Sequence, residues 1–529
     1  MNSNVSSMLL QPSECELLLN ANIDIIGKLK KRNGTRMFSN QTTASNPCLG
    51  LHQFTTASGT EYSLCTFSNN TNNVTYRMVS STLNGAITTA TTTITLTSGT
   101  NFASSGTIEI EGDLITYTGK STNDLTGVTG ITDSHATATT VRQWTSSLAT
   151  DTKDLKTRFA NFINRVFRVN GTQVMGSSAD ASTWNTTSCL TVSVPSLIER
   201  FQERLVCAGD VTYPDRIYAS SIVSSTETVT WDTATHIIDV AGTAGYYIDI
   251  SPDDGMNIVA LKRNSASLLM FKDYALYIWD GHSTQADALI DVGTISQETI
   301  TNIHNSTFFI GRSQKDLGIY IFNGGYPKNI SRKIKKWLDN TTQTTANFAN
   351  MCVGGDDTNF YAYVGNVAFS NDEIYGTRTF SNVWLVYNIP LDAWVVYDGL
   401  AARTFGDLVE SGTRKLYFGD TNGKIFEIGN GQTDDNGEGK TPIDFEVISR
   451  EESYNAPELP KELIGITVVA EKAQNTTVKY RYDRFVDFKN LGALKKRNTY
   501  LPAPQKGDQK NIGGSIQYKF TDNSSYTNS

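Results

Sequence analysis

The sequence predicts an all-β fold: a degenerate β-propeller with a small β-rich inserted domain and a C-terminal β module. Three observations lead there. With 41 glycines, 12 prolines and 10% aromatics among 529 residues, the composition favours many strands joined by polar turns. Short apolar runs are repeatedly cut by Gly, Asn or Asp, which is turn chemistry. The same phrase also recurs: an apolar strand, a turn, then a strand with Leu or Ile beside Tyr or Phe, closing near Gly. It appears at 271–281, 308–325, 394–399 and 416–429. Recurring short hairpins with aromatic ends are the mark of propeller blades, here unevenly spaced. A sandwich or a chain of small β domains is the structural rival.

Residues 1–84 are assigned to the N-terminal part of the propeller. Leu17, Leu18 and Leu19 open it, and the basic cluster Lys28, Lys30, Lys31 and Arg32 follows, closed by the tight-turn step Asn33-Gly34. Lysines on a solvated edge strand guard against aggregation; contact with DNA or an acidic partner is the functional alternative. Strands at 61–67 and 74–80 make a hairpin across the Asn-rich turn 69–73. Residues 85–144, dominated by Thr, Ser and Gly, form the inserted domain, because apolar residues still recur there at strand period.

Residues 145–433 carry the remaining propeller. Leu155, Phe159, Phe162, Ile163 and Val166 recur at three and four, while 167–171 alternate, so a short helix running into a strand is predicted. The clearest helix is 330–338, with Ile334, Trp337 and Leu338 on one stripe, Ser331 as N-cap, and Arg332, Lys333, Lys335 and Lys336 around them. Residues 434–529 begin at an acidic turn, Asp434-Asp435-Asn436-Gly437-Glu438, and read as a C-terminal β module.

Charge and motifs bear on function. The net charge of −8, from 45 basic and 53 acidic residues, argues against a dedicated nucleic-acid binder. Six scattered cysteines form no CxxC pair; buried thiols in a reducing compartment and long-range disulfides both stand as readings. No run supplies the ~18 apolar residues of a membrane helix, and the first residues lack a signal-peptide pattern. Cys48, His52 and Cys65 make the one metal-like spacing, but a structural zinc site wants four ligands and no second pair is present. No GxSxG elbow or Walker loop occurs. Asp253-Asp254-Gly255 partly resembles an Asp-box turn, occurs once, and reads as an Asx-type turn. The acidic turn at 434 does not follow the 12-residue calcium loop. No catalytic residue, cofactor or metal is therefore assigned, and the chain is read as not an enzyme.

In order, these segments resemble the β-propeller structural proteins of tailed bacteriophages, including tail-nozzle and tail-hub components of short-tailed phages. The likeness runs through Asn22-Ile23-Asp24 with the turn 27–34, the hairpins at 276–281 and 318–324, the helix start at 330–334, and the late lines 417–420 and 423–426. The insert is similar to a small β module of phage virion proteins, through 102–108, 113–119 and 125–129, although Gly130-Ile131 stands where Arg-Gly is usual. The resemblance implies a structural virion protein, made in the bacterial host cytoplasm. It would form part of a tail or head–tail connector ring, six-fold in relatives, around the DNA ejection path. It further implies a homo-oligomer, contacts with other tail or connector proteins, and passage of double-stranded DNA without specific binding. The basic residues Lys28, Lys30, Lys31, Arg32, Arg332, Lys333, Lys335 and Lys336 are then candidate assembly contacts. The alternatives are a tail-tip receptor or glycan-binding protein or depolymerase, and a surface adhesion protein with no phage role.

Overall fold

The computed structural model describes residues 1–4, 10–11, 13–24, 28–40, 46–69, 71–224, 226–239, 242–314, 316–410, 412–435, 440–454, 456, 458–470, 476–483, 487–494, 498–503 and 512–523. Parts of three sequence readings, Gly27, Asn70 and 436–439, lie outside them. The all-β class holds, but the propeller is corrected. Among the described residues the strands form separate open sheets of two to nine strands, and no sheet closes into a barrel or propeller. Hydrogen-bonded ladders run within each sheet and stop at its end strand.

The end strands of seven sheets nevertheless pack against one another in a cycle. They are Cys48–Thr55, Arg158–Phe162, Leu197–Phe201, Ile258–Asn264, Ile300–Ile303, Cys352–Gly355 and Thr404–Glu410, the last lying against the first. Side-chain packing joins most of these neighbours, with single backbone bonds such as Thr157 N–H to the Leu49 carbonyl and Cys48 N–H to the Asp420 carbonyl. Both faces of these strands are apolar: Leu197 and Phe201 pack in one core and Ile198 in another, as do Leu261 and Ala260. Small residues set the spacing where sheets touch. A Cβ on Gly406 would sit 2.5 Å from the Leu51 Cβ.

The N-terminal residues enter sheets built from far later in the chain. Cys15–Leu19 pairs antiparallel with Phe445–Ser449 and meets Ala393–Tyr397 in parallel at Leu19 and Val396. Thr35–Asn40 pairs with Lys424–Ile428. Ile516–Asp522 and Thr477–Tyr482 extend the first of these sheets. Asn20 sits at the junction with φ 51°, a conformation Asn tolerates better than most residues. Its amide donates to Asp398 Oδ1 at 2.7 Å and to the Asp444 carbonyl at 2.6 Å, and its Oδ1 accepts from Arg32 Nε at 2.9 Å.

Three local readings change. Residues 155–169 hold no helix; Arg158–Phe162 and Arg165–Val169 form a hairpin. Its turn places Ile163 and Asn164 at φ 44° and 56°, the two positive values of a type I′ turn, so the helical spacing there is coincidental. Asn33-Gly34 is not a hairpin turn. The chain instead passes the Thr433 backbone so closely that a Cβ on Gly34 would lie 1.9 Å from the Thr433 carbonyl oxygen. The helix at 330–338 exists as a 3₁₀ turn, Ser331–Ile334, leading into Lys335–Asp339, with Ile334, Trp337 and Leu338 fully buried. Ser331 lies inside it, and its hydroxyl accepts the Ile319 N–H and donates to Asn329 Oδ1, tying the helix to its sheet.

The inserted segment has its own core of Ile94, Leu96, Ile108, Ile110, Ile115, Tyr117 and Leu125. The long strands Asn72–Thr82 and Thr140–Thr152 lead into and out of it. The acidic turn at 253–255 is clamped from inside: the fully buried Lys272 ammonium donates to Asp215 and Asp254 at 2.7 Å each and to the Ser251 carbonyl at 3.0 Å. Asp254 Oδ1 also accepts the Met256 N–H, which makes the Asx turn. Breaking a buried pair leaves charges uncompensated, so Lys272→Met is expected to lower stability by about 3 kcal/mol. Urea unfolding should show an earlier midpoint at unchanged slope; an unmoved midpoint would contradict this role for Lys272.

Candidate functional site

Where the seven end strands converge, every one of them contributes to the wall of a cavity of about 230 Å³. Most of its charged side chains hold strands together. Arg158 makes a bidentate pair with Glu298, 2.9 Å at each contact, and donates to the Ser196 carbonyl at 2.7 Å. Burial opposes ionisation of Glu298, but Arg158 and then Lys156 outweigh it and hold its carboxyl at about 2. The Gln297 amide grips the backbone of Leu261 from both sides, accepting its N–H and donating to its carbonyl at 2.8 Å each. Lys156 donates to the Arg403 carbonyl, and burial lowers its ammonium to about 8. Asp407 pairs with Arg414.

His52 lines the same wall. Its Nε2 lies 2.8 Å from Asn161 Oδ1 and its ring stacks on Phe159 with centroids 5.5 Å apart. The cavity walls desolvate the imidazole and lower it to about 4, although the ring keeps some accessible surface. It is therefore neutral at ordinary pH. Two further charged residues, Glu199 and Lys262, also face the cavity. Burial raises the Glu199 carboxyl above its usual range.

A second cavity, of about 280 Å³, lies between the Asp372–Gly376 turn and the C-terminal strands. There Arg378 and Lys519 both pair with Glu446, at 3.0 and 2.7 Å. Cys48 and Cys65 are buried and His52 turns to Asn161, so the one metal-like spacing is not assembled into a site. Among the described residues no group of three or more His, Cys, Asp or Glu could hold a metal ion. All six cysteines are free thiols.

The eight basic candidates separate into two kinds. Arg32 is buried, with a bidentate pair to Asp434 and its guanidinium 5.2 Å from the Tyr397 ring centre, so it works inside the chain. Lys333 reaches Glu14 at 3.6 Å, Lys335 reaches Asp339 at 2.7 Å and Asp316 at 3.2 Å, and Lys336 reaches Asp372 at 2.6 Å. Lys31 is half-buried, and burial lowers its ammonium despite nearby Asp522 and Asp444. Lys28, Lys30 and Arg332 are exposed. Sequence reasoning missed Arg158, Glu199, Lys262 and Glu298. The available signal was weak: a charged residue inside an otherwise apolar short strand, as in Leu197-Ile198-Glu199.

One titrating cluster lies in the insert. His135, almost fully buried, sets Nδ1 2.9 Å from Glu111 and Nε2 3.0 Å from Asp113. Burial alone would lower the imidazole, but the two carboxylates outweigh it and raise its pKa above 6.5. Burial likewise opposes ionisation of Asp113, yet hydrogen bonds from Thr132, Asp133 and His135 hold it below 3.8.

No family model matches the chain, and no curated protein matches it. Solved structures show a loose likeness. The CNH domain of AfRom2 aligns at 8% identity and TM-score 0.37, covering 74% of this chain and 98% of that one. YCF48 from Cyanidioschyzon merolae aligns at 9% identity and TM-score 0.35, with the same coverages of 74% and 98%. BamB from Moraxella catarrhalis aligns at 9% and 0.32, covering 68% and 91%. None of these names is that of a viral tail or connector protein, so the virion terms suggested by the sequence are corrected as a description of the chain's structural neighbours. Likenesses this loose carry no argument about function.

Two pH effects follow. The raised His135 pKa contributes stability that is complete below 6.5 and lost as pH rises through the folded value. His135→Gln should therefore flatten the thermal midpoint of the insert between mildly acidic and alkaline pH; an unchanged profile would refute it. The depressed Glu298 pKa contributes stability present above 4.5 and lost as pH falls toward about 2. Glu298→Gln should lower the neutral-pH midpoint and weaken the acid-side decline, read by pH-dependent urea unfolding. An acid limb as steep as in the parent would contradict it.

Proposed function

We propose that this chain is a structural protein of a tailed-phage particle, building in several copies a ring around the path by which DNA leaves. The observation that carries the reading is the use of charge at the hub. Arg158, Glu298, Gln297 and Lys156 bind strands to one another and make a rigid framework without an assembled acid–base or nucleophile pair. The ordered sequence resemblance supplies the particle.

The geometry limits where DNA would run. A cavity of about 230 Å³ equals a sphere roughly 8 Å across, whereas the major groove alone is about 12 Å wide. Duplex DNA does not fit the hub, so its path would lie between copies of the chain. A net charge of −8 suits a wall that does not grip phosphates. Ring closure needs complementary faces on each copy, and Lys28, Lys30 and Arg332 are the basic residues among the eight candidates left facing outward.

Electron microscopy of native particles, reconstructed without imposed symmetry, tests this. Several copies encircling the particle axis are expected. A lone copy away from the axis, or a chain missing from purified particles, would overturn the reading.

A further inference from the structure

The hub cavity holds two charged side chains that no ion pair neutralises. Glu199 comes from Leu197–Phe201 and Lys262 from the neighbouring Ile258–Asn264, and both are half-buried on the cavity wall. Among the described residues neither makes a salt bridge. Glu199 accepts the backbone N–H groups of Arg200 and Arg263 and senses Lys262 only through space. The other charges at this wall are neutralised in place, Arg158 by Glu298 and Asp407 by Arg414. Thr301 lines the same space, and the stacked rings of His52 and Phe159 form an aromatic wall beside it.

Half-buried charges lose hydration and recover it only from a partner. Here a carboxylate and an ammonium share one cavity, yet stand too far apart to satisfy each other directly. The space is somewhat below the ~300 Å³ at which drug-sized ligand pockets begin, so it suits a molecule the size of an amino acid. The pair is neutral overall, so the complementary ligand is neutral overall with separated charges.

We infer that the hub cavity binds a small zwitterion, with its ammonium on Glu199 and its carboxylate on Lys262. The aromatic wall accepts the methylenes between the two charges, and Thr301 offers a hydroxyl to either end. The site goes beyond the assembly reading and does not depend on it, because it lies within a single chain.

Calorimetry on the full chain tests this with a ladder of probes: glycine, β-alanine, γ-aminobutyrate and ε-aminocaproate. One length should bind best and saturably, since the two side chains rise from strands packed against each other. Acetate and methylammonium, each carrying one charge, should bind about 10-fold or more weaker, because each forfeits one charge-assisted contact. Lys262→Met and Glu199→Gln should each weaken the preferred probe by about 10-fold or more. The comparison of probes on the parent protein decides the question even if a variant unfolds. No saturable binding of any zwitterion would overturn the proposal and leave a water-filled gap. Acetate binding as tightly as the best zwitterion would overturn it in favour of a simple anion site at Lys262. If the ladder fails while particles still show a ring, the assembly reading survives alone.

Discussion

One side chain amide joins the two ends of this chain to its middle. Asn20 follows the strand Cys15–Leu19, and its amide reaches Asp398 and the Asp444 carbonyl while accepting from Arg32. Its backbone N–H also donates to the Val396 carbonyl, and its own carbonyl accepts the Arg32 N–H. Arg32 in turn pairs with Asp434. Buried and fully engaged, Asn20 fixes where the N-terminal strand lies relative to strands from the middle and end of the sequence. The register of Leu17 on Ile448 and of Met37 on Phe426 depends on that placement. Leu17, Leu18 and Leu19 are all buried, so both faces of the strand are covered, and a one-residue slip would exchange the neighbours each leucine packs against.

That closure matters because adjacent sheets share no hydrogen-bonded ladder. Packing holds the cycle, and packing is lost at any sheet whose end strand leaves. The hub adds the polar counterpart. Arg158 and Glu298, 140 positions apart, pair at the convergence point, and the Gln297 amide substitutes for a missing strand partner on Leu261. Polar groups at such a depth are stabilising only when fully satisfied. The same framework leaves Glu199 and Lys262 without an ion-pair partner, so the hub is both a structural keystone and a distinctive chemical environment.

Local structure was largely legible in the sequence. The hairpin Glu61–Ser68 and Asn72–Thr82 follows from alternation, and Asn69 makes its turn by accepting the Thr71 and Asn72 N–H groups. The stripe Ile334, Trp337 and Leu338 marked a buried helix face. Two kinds of feature were not legible. Spacing at three and four in 155–166 mimicked a helix, because a turn with two positive φ values carries no distinctive pattern when Ile and Asn fill it. Pairings across hundreds of residues leave no local trace either: nothing near Arg32 names Asp434, and nothing near Arg158 names Glu298. The basic run at 28–32 read as one surface cluster, yet Lys30 is exposed while Arg32, just past the strand Leu29–Lys31, is drawn inside by Asn20 and Asp434. The hub site was hidden for the same reason, being assembled from seven distant strands.

Hydrogen exchange on Asn20→Ala tests the closure most directly. The account predicts that amides of Cys15–Leu19 and Phe445–Ser449 lose protection together, while those of the inserted segment's core strands, Gly106–Ile110 and Asp113–Tyr117, keep theirs. Unchanged protection of Phe445–Ser449 in that variant would contradict the claim that the N-terminal strand is what holds the C-terminal strands in place.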